Sequence, residues 1–143
     1  MNLVQSSGFF SATEIELACE LAEDRLEHGR QSSYQFLFAE DNEQLIGYTC
    51  YGLIPATAGS YDLYWIVVSE TLRGQSFGKS LLQKTESLIR NDGGTRLYAE
   101  TSSRSQYAPT HRFYENCGYI AEAVLKDFYA PGDSKIIYTK VLK

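Results

Sequence analysis

The sequence lacks the features that mark several large classes of protein. It has no run of about 20 apolar residues that could span a membrane, and we expect no signal peptide. It also has no basic run, and its net charge of −5 argues against binding to nucleic acid or to an anionic membrane surface. We therefore expect a cytoplasmic protein with no nucleic-acid and no membrane partner.

Cysteine is scarce as well. Only Cys19, Cys50 and Cys117 are present, and they are far apart, without a CxxC pair or a paired histidine. An odd, scattered set of this kind argues against a disulfide framework and against a zinc site. We expect small buried thiols in a reducing compartment, and no bound metal.

The length and composition are those of one ordinary globular unit. The chain has 143 residues, of which 43% are hydrophobic and 22% are charged. That length is enough for a sizeable core, and no repeat, linker or low-complexity tract divides it. We therefore predict a single domain over residues 1–143.

The central stretch of the chain combines a strand, a short turn and a helix. Tyr61–Val68 is rich in aromatic and β-branched residues on both faces, which is typical of a strand inside a sheet. Ser69–Arg73 is a polar turn, and Gly74–Gly78 opens a helix. The apolar positions of that helix follow helical spacing and are Leu81, Leu82, Leu88 and Ile89.

A glycine-containing turn between a strand and a helix suits an anion such as a phosphate. Unpaired backbone N–H groups and the positive end of the helix dipole meet there, and glycine lets the backbone come close to the ligand. The G-x-G-x-x-G dinucleotide pattern is absent, because the glycines are 74 and 78 only. Gly78-Lys79-Ser80 matches the end of a phosphate-binding P-loop, but Arg73 stands where the first glycine belongs.

The remaining patterns predict one mixed α/β domain. The segment after the central helix should form a strand parallel to Tyr61–Val68, because a helical crossover joins the two. The predicted elements outside the central stretch are a capped helix over Ser11–His28, a hairpin of Tyr34–Ala39 and Leu45–Tyr51 with a turn at Asp41-Asn42, a strand over Thr95–Thr101, a helix over Thr110–Asn116 stopped by Gly118, and strands over Tyr119–Leu125 and Lys135–Val141.

Two motifs in this order resemble the GNAT superfamily of acetyl-CoA-dependent N-acetyltransferases. The turn Arg73–Gly78 is similar to the family's R/Q-x-x-G-x-G/A pattern, with Ser76 in the place of a glycine. Downstream, Arg112–Tyr119 (RFYENCGY) is similar to the family's short helix carrying F-Y-E followed by G-F or G-Y. The resemblance covers nearly the whole chain. It implies a mixed, mostly antiparallel sheet flanked by helices, with one parallel strand pair splayed around the cofactor.

The resemblance also implies where acetyl-CoA binds. The backbone at the end of the central strand would pair with the pantetheine arm, and N–H groups of the turn would hold the pyrophosphate. Arg73 and Lys79 add positive charge near it, although both can equally be solvated surface side chains. The implied cofactor-binding residues are Ile66, Val67, Val68, Arg73, Gly74, Gln75, Ser76, Phe77, Gly78 and Lys79.

For catalysis, the resemblance implies a tyrosine acid and a carboxylate base. Tyr114 matches the family tyrosine near the cofactor sulfur, and a phenol of pKa about 10 can protonate a departing thiolate. Glu100 resembles the strand glutamate that serves as base in several relatives. It shares a face with Tyr98 and Ser102, whereas Asp62, the second candidate, shares a face with Tyr64 and Ile66.

The acceptor is expected to be a small-molecule or peptide amine, with Asp62, Asp127 and Tyr129 as its contacts. A homodimer is left open. A CoA-binding sensor without transfer activity is the alternative, since Tyr107 stands where many relatives have a cofactor-binding asparagine. Nucleotide hydrolysis and a Cys117 nucleophile are disfavoured, because the P-loop spacing fails and no histidine is paired with the thiol.

Overall fold

Strands form where the aromatic and β-branched residues cluster, and helices form where the apolar spacing is helical. The computed structural model describes residues 34–41, 44–69 and 77–142. Its elements in chain order are β1 (Gln35–Asp41), β2 (Gln44–Leu53), β3 (Ser60–Val68), α1 (Phe77–Asn91), β4 (Arg96–Ser102), α2 (Ala108–Asn116), β5 (Ile120–Ala130) and β6 (Asp133–Val141). The predicted helix over 11–28, with Cys19 and His28, lies outside the described residues.

The six strands make one mixed sheet in the order β1-β2-β3-β4-β6-β5. All neighbours are antiparallel except β3 and β4, which are parallel and are joined through α1. The predicted parallel pair, the first hairpin and the final hairpin are therefore confirmed. The order places β3 and β4 at the centre of the sheet and β5 at one edge.

The α1 helix packs on one face of the sheet with the apolar stripe that its spacing predicts. Leu81, Leu82 and Ile89 are buried, and a hydrogen bond of 2.9 Å joins the hydroxyls of Thr49 on β2 and Thr85 on the helix. Leu88, the fourth apolar position with helical spacing, is exposed. Leu88 falls beside the stripe rather than within it.

The α2 helix starts two residues earlier than predicted. It begins at Ala108, directly after a 3₁₀ turn over Ser105–Tyr107, and Pro109 occupies its first turn. Proline is well tolerated there because its missing N–H would have no partner inside the helix. Gly118 follows the helix with a φ of 92°, so it reverses the chain as predicted.

The final hairpin is longer than its sequence pattern indicates. The sequence pattern ends the strand at Leu125, but β5 continues through Asp127–Tyr129 to Ala130. Asp127 has a φ of 57°, so the strand is irregular rather than interrupted. The predicted strand end at Leu125 was wrong, because the residues after it are accommodated as an irregularity of the strand, and pairing with β6 resumes at Ala130.

The core lies between the sheet and the two helices. Its buried members come from all of these elements, so the helices are fixed on the same face of the sheet. The cluster consists of Tyr51, Tyr61, Leu63, Leu82, Ile89, Leu97, Ala99, Tyr114, Cys117, Tyr119, Tyr138 and Leu142. Cys50 and Cys117 are buried free thiols, as predicted.

Candidate active site

The β3 and β4 strands run side by side for only part of their length. Their ladder extends from Ser60 opposite Arg96 to Leu63 opposite Ala99. Within the described residues it goes no further, although β3 continues to Val68 and β4 continues beyond Ala99. The end of β3 keeps its pairing with β2 on the other side. Backbone groups on the β4 side of this segment therefore face a gap and are available to a ligand.

A bulge in β3 coincides with the start of this gap. The pairing with β2 skips Tyr64, which is the extra residue of the bulge. A bulge of this kind bends a strand and shifts its alternation of faces. The predicted shared face of Asp62 and Ile66 is therefore wrong: Ile66 packs against the core that contains Leu63, on the face opposite Asp62.

The N-terminus of α1 lies against the end of β3 and against α2. A side-chain carbon on Gly78 would lie 3.8 Å from Val68 Cγ2 and only 3.1 Å from Phe113 Cε1. The glycine therefore has a packing reason in addition to the predicted approach of a ligand, because the Phe113 ring occupies the space that a side chain would need. The preceding turn residues Arg73, Gly74, Gln75 and Ser76 lie outside the described residues.

Phe77 and Lys79 face different surroundings on the first turn of α1. The Phe77 ring lies over Gly47 on β2, where an added carbon would come within 2.9 Å of it. Phe77 can therefore offer a ligand its backbone rather than its side chain. Lys79 is exposed, so its ammonium can reach an anion beside the helix N-terminus.

Tyr114 is buried among three aromatic rings. It is 6% exposed, and the ring centroids of Phe113, Tyr119 and Tyr138 lie 5.5, 5.6 and 5.5 Å from its own. Burial raises the pKa of Tyr114 above the ordinary tyrosine range. Among the described residues, none shares a hydrogen bond with its hydroxyl. The phenol thus keeps its proton at neutral pH and has that proton available.

A buried polar network holds one of these rings. Tyr119 Oη donates to Glu86 Oε2 over 2.7 Å, and Glu86, although 1% exposed, is also paired with Lys140 Nζ at 3.1 Å. Lys140 Nζ donates a second bond of 2.9 Å to the carbonyl of Cys117, at the C-terminus of α2. The network therefore ties α1, α2 and β6 together beside Tyr114.

Tyr114 and Glu100 lie on opposite faces of the sheet. Tyr114 packs against Tyr138, which is opposite Ala99 in the β4–β6 ladder. Ala99 and Glu100 are consecutive on β4, so their side chains point to opposite faces. The buried residues Leu97, Ala99 and Thr101 alternate with Glu100 as predicted.

Glu100 lines a cavity on its own face of the sheet. The cavity has a volume of about 170 Å³, and the described residues that line it are Asp62, Leu63, Tyr64, Glu100 and Tyr129. Two strands and the final hairpin therefore bring together three residues that the sequence analysis selected from distant positions. Asp127 does not belong to this lining among the described residues, because its carboxylate accepts the N–H of Gly132 in the hairpin turn at 2.8 Å.

The electrostatics of the cavity depend on three charged side chains. Glu100 Oε1 is 3.0 Å from Lys135 Nζ on β6. Burial and then the charge of Glu100 raise the pKa of Asp62, whereas Lys135 lowers it. Burial also raises the pKa of Tyr64 to about 12, so this phenol is neutral near the two carboxylates.

Sequence reasoning missed Lys135, Glu86 and the anchoring role of His111. Glu86 could have been found, because it occupies the helical position between Leu82 and Ile89 in the apolar stripe of α1. No local sequence pattern around Lys135 indicates that its side chain contacts the site. His111 is half-buried, and its Nε2 donates to the Ser102 carbonyl at 2.7 Å.

The described residues contain no helix long and apolar enough to cross a membrane. In the same part of the chain, no three His, Cys, Asp or Glu side chains are grouped so that they could hold a metal ion.

Comparison with known proteins identifies the family of this chain. The profile of the acetyltransferase (GNAT) family matches residues 5–119. The chain belongs to the GNAT family of acetyltransferases. A solved structure from Desulfovibrio desulfuricans, described as a GNAT-family acetyltransferase, has 46% identity and a TM-score of 0.97, covering 99% of this chain and 89% of that one.

More distant solved structures of N-acetyltransferases share the fold. An aminoglycoside 6'-N-acetyltransferase complexed with coenzyme A has 21% identity and a TM-score of 0.68, covering 94% of this chain and 95% of that chain. The ribosomal-protein-S18-alanine N-acetyltransferase from Escherichia coli has 14% identity and a TM-score of 0.67, covering 94% and 91%. No curated protein sequence matches the chain.

Proposed function

We propose that this protein transfers an acetyl group from acetyl-CoA to a primary amine by direct attack, without an acyl-enzyme, as one N-acetyltransferase domain over residues 1–143. Membership of the GNAT family supports acetyl transfer. The observation that carries the proposal is the ladder between β3 and β4, which stops at Leu63 and Ala99. The resulting gap lies in the sheet that separates Tyr114 from Glu100.

The residues around the gap fit an extended cofactor with a diphosphate. The backbone of Ile66, Val67 and Val68 has free pairing capacity towards the gap, so it can bind the pantetheine arm as an added strand. The N-terminus of α1 suits the pyrophosphate, and the turn from Arg73 to Lys79 completes that site. Acetyl-CoA supplies the acetyl group as a thioester when it is bound.

Tyr114 acts as the proton donor to the departing thiolate. Its hydroxyl has no hydrogen-bond partner among the described residues, and burial favours the protonated phenol. Its aromatic neighbours fix the ring, so the oxygen is held in one place. A fixed, protonated donor is what general acid catalysis requires.

Glu100 accepts the proton that the amine must lose before it attacks. An alkylammonium has a pKa of about 10, so most amine arrives protonated at neutral pH. Glu100 is 48% exposed on the cavity side of β4 and can pass this proton to solvent. Asp62, which lines the same cavity, is the second candidate for the base and otherwise binds the positive charge of the acceptor.

The acceptor enters the cavity between Asp62, Glu100 and Tyr129. Carboxylates and a tyrosine ring suit an ammonium group. Two GNAT neighbours are named for an aminoglycoside and for a ribosomal-protein alanine, so this fold serves both small-molecule and peptide amines. Asp127 shapes the hairpin that carries Tyr129, because its carboxylate accepts the Gly132 N–H.

Two measurements test the proposal. Calorimetry should give saturable acetyl-CoA binding, and the Arg73→Ala, Lys79→Ala variant should bind roughly tenfold more weakly because it loses charge-assisted bonds to phosphate. A panel of primary amines with free-thiol detection should then reveal acetyl transfer. Lack of CoA affinity, or ATP binding that depends on Lys79, would overturn the cofactor assignment. CoA binding with no amine acetylated would favour the sensor alternative.

A further inference from the structure

Lys135 places an ammonium group beside the candidate acceptor cavity. Its Nζ is 3.0 Å from Glu100 Oε1, and its side chain is 15% exposed. Among the described residues, the charged side chains that line the cavity are Asp62 and Glu100. When the positive charge of Lys135 is added to these two negative charges, the net charge around the cavity is −1 rather than −2.

The position of Lys135 is fixed by its surroundings. Its Nζ lies 4.4 Å from the centre of the Phe128 ring, a cation–π distance. Phe128 meets the cavity residue Tyr129 edge to face, with centroids 5.0 Å apart. The left-handed backbone of Asp127 and its bond to the Gly132 N–H set the path of this part of the hairpin.

We propose that Lys135 is a built-in counter-ion that makes the acceptor cavity selective for amines with a single positive charge. This inference rests on the proposed function, because it assumes that the acceptor amine enters at Asp62 and Glu100. One ammonium on the acceptor neutralises the remaining negative charge of the cavity. Among the described residues that line the cavity, a second ammonium finds no free carboxylate, and it is repelled by Lys135.

Asp62 is the carboxylate left to meet the acceptor. It is half-buried, and its pKa is raised by burial and by the charge of Glu100, which means that its charged form is incompletely stabilised. An incoming ammonium supplies the missing positive charge. Glu100 is half exposed, so solvent screens part of its charge and limits the discrimination to about tenfold rather than several thousandfold.

A matched pair of probes separates charge from size. Pentylamine and 1,5-diaminopentane have the same carbon chain and differ by one ammonium group. Binding of each to the CoA-loaded protein is measured by calorimetry at low salt, and acetylation is measured by thiol release. The wild type should prefer pentylamine.

Three variants then test Lys135 itself. Lys135→Gln should move the binding ratio about tenfold towards the diamine, because Glu100 becomes free to accept the second ammonium. Lys135→Arg keeps the charge and should keep the wild-type preference. Lys126→Gln removes a lysine of the exposed strand β5 that is not part of the cavity, so it controls for net charge and should leave the ratio unchanged.

The outcomes separate this inference from the proposed function. An unchanged ratio in Lys135→Gln, an equal shift in Lys126→Gln, or no binding of either amine to the wild type would overturn the role of Lys135. Added salt should weaken a true charge effect, and a ratio that does not respond to salt would also count against it. If the amines bind with the expected ratio but neither is acetylated, the selectivity stands and the transfer activity fails.

Discussion

Tyr119 Oη donates a hydrogen bond of 2.7 Å to Glu86 Oε2, and this bond joins the residue before β5 to the middle of α1. Glu86 belongs to the helix whose N-terminus borders the gap, whereas Tyr119 packs against the candidate acid Tyr114. The bond therefore connects the proposed cofactor site with the proposed proton donor. It also satisfies a carboxylate that would be costly to bury without partners.

Replacing Tyr119 with phenylalanine should destabilise the fold. The change leaves one oxygen of a buried carboxylate without its donor, which costs about 1–3 kcal/mol. Chemical denaturation measures this loss. Tyr61→Phe is the matched control, because the Tyr61 side chain is buried in the same core and shares no hydrogen bond with the described residues. If Tyr119→Phe and Tyr61→Phe lower the free energy of unfolding equally, the hydrogen bond to Glu86 does not stabilise the fold.

Replacing Lys140 with methionine should cost more, since it removes the ion-pair partner of Glu86. Breaking a buried pair on one side costs about 3 kcal/mol or more, and the 27% exposure of Lys140 places the value at the low end. The double variant Glu86→Gln, Lys140→Met removes both charges and should recover part of the loss. A double variant that is less stable than Lys140→Met would contradict this reading of the pair.

Replacing Tyr114 with phenylalanine should lower kcat by roughly 10²-fold, because the ring remains and only the proton donor is lost. Acetyl-CoA affinity should change by no more than about 1 kcal/mol, the value of one neutral hydrogen bond. Because burial raises the pKa of Tyr114, the rate of the wild type should begin to fall only at a pH above the ordinary pKa range of tyrosine, and this fall is the alkaline limb of the rate–pH profile. A small loss of kcat, with the alkaline limb unchanged, would assign Tyr114 to packing alone.

Replacing Glu100 with glutamine should abolish the acid limb of the rate–pH profile and leave CoA affinity unchanged, because the shape is kept and the basicity is lost. Asp62→Asn is the companion variant on the same cavity. If the limb persists in Glu100→Gln and disappears in Asp62→Asn, the base is Asp62. If it persists in both variants, the proton goes to water or the amine arrives neutral.

The stability of the protein should fall at alkaline pH. Burial raises the pKa of Tyr114 and of Cys50, the latter to about 12, so the folded state holds these groups protonated more firmly than the unfolded chain does. The stabilisation that these two groups contribute is complete below their pKa values in the unfolded chain, about 8.5 for cysteine and 10 for tyrosine. It is lost as the pH rises through their pKa values in the folded state. Urea denaturation between pH 7 and 11 should show this decline. The Cys50→Ala variant should show a smaller decline than the wild type.

The order of elements could be predicted because each carries a strong local pattern. The alternating burial around Glu100 and the helical stripe of α1 depend on nearest neighbours only. The boundaries shifted by a few residues, because the 3₁₀ turn that leads into Ala108 and the strand irregularity at Asp127 have no clear local pattern in the sequence. The shared face assigned to Asp62 and Ile66 failed because a bulge leaves no clear trace in sequence.

Some features of the candidate site could be predicted from the sequence, and others could not. The positions of Tyr114 and Glu100 came from motifs and from strand alternation, which are legible in one sequence. The contact between Glu100 and Lys135 could not be predicted, because it joins residues 35 positions apart across two strands whose register is set by the whole sheet. Likewise, the need for glycine at position 78 depends on the distant ring of Phe113.

The place of β6 in the sheet has a consequence for how the chain folds during synthesis. β6 lies between β4 and β5, although it follows both of them in sequence. Until its residues leave the ribosome, β4 lacks its antiparallel partner and β5 has nothing to pair with. This half of the sheet, including the cavity wall at Glu100, can therefore assemble only after translation of β6, and a nascent chain stalled before Asp133 should expose two unpaired edges to chaperones or to aggregation.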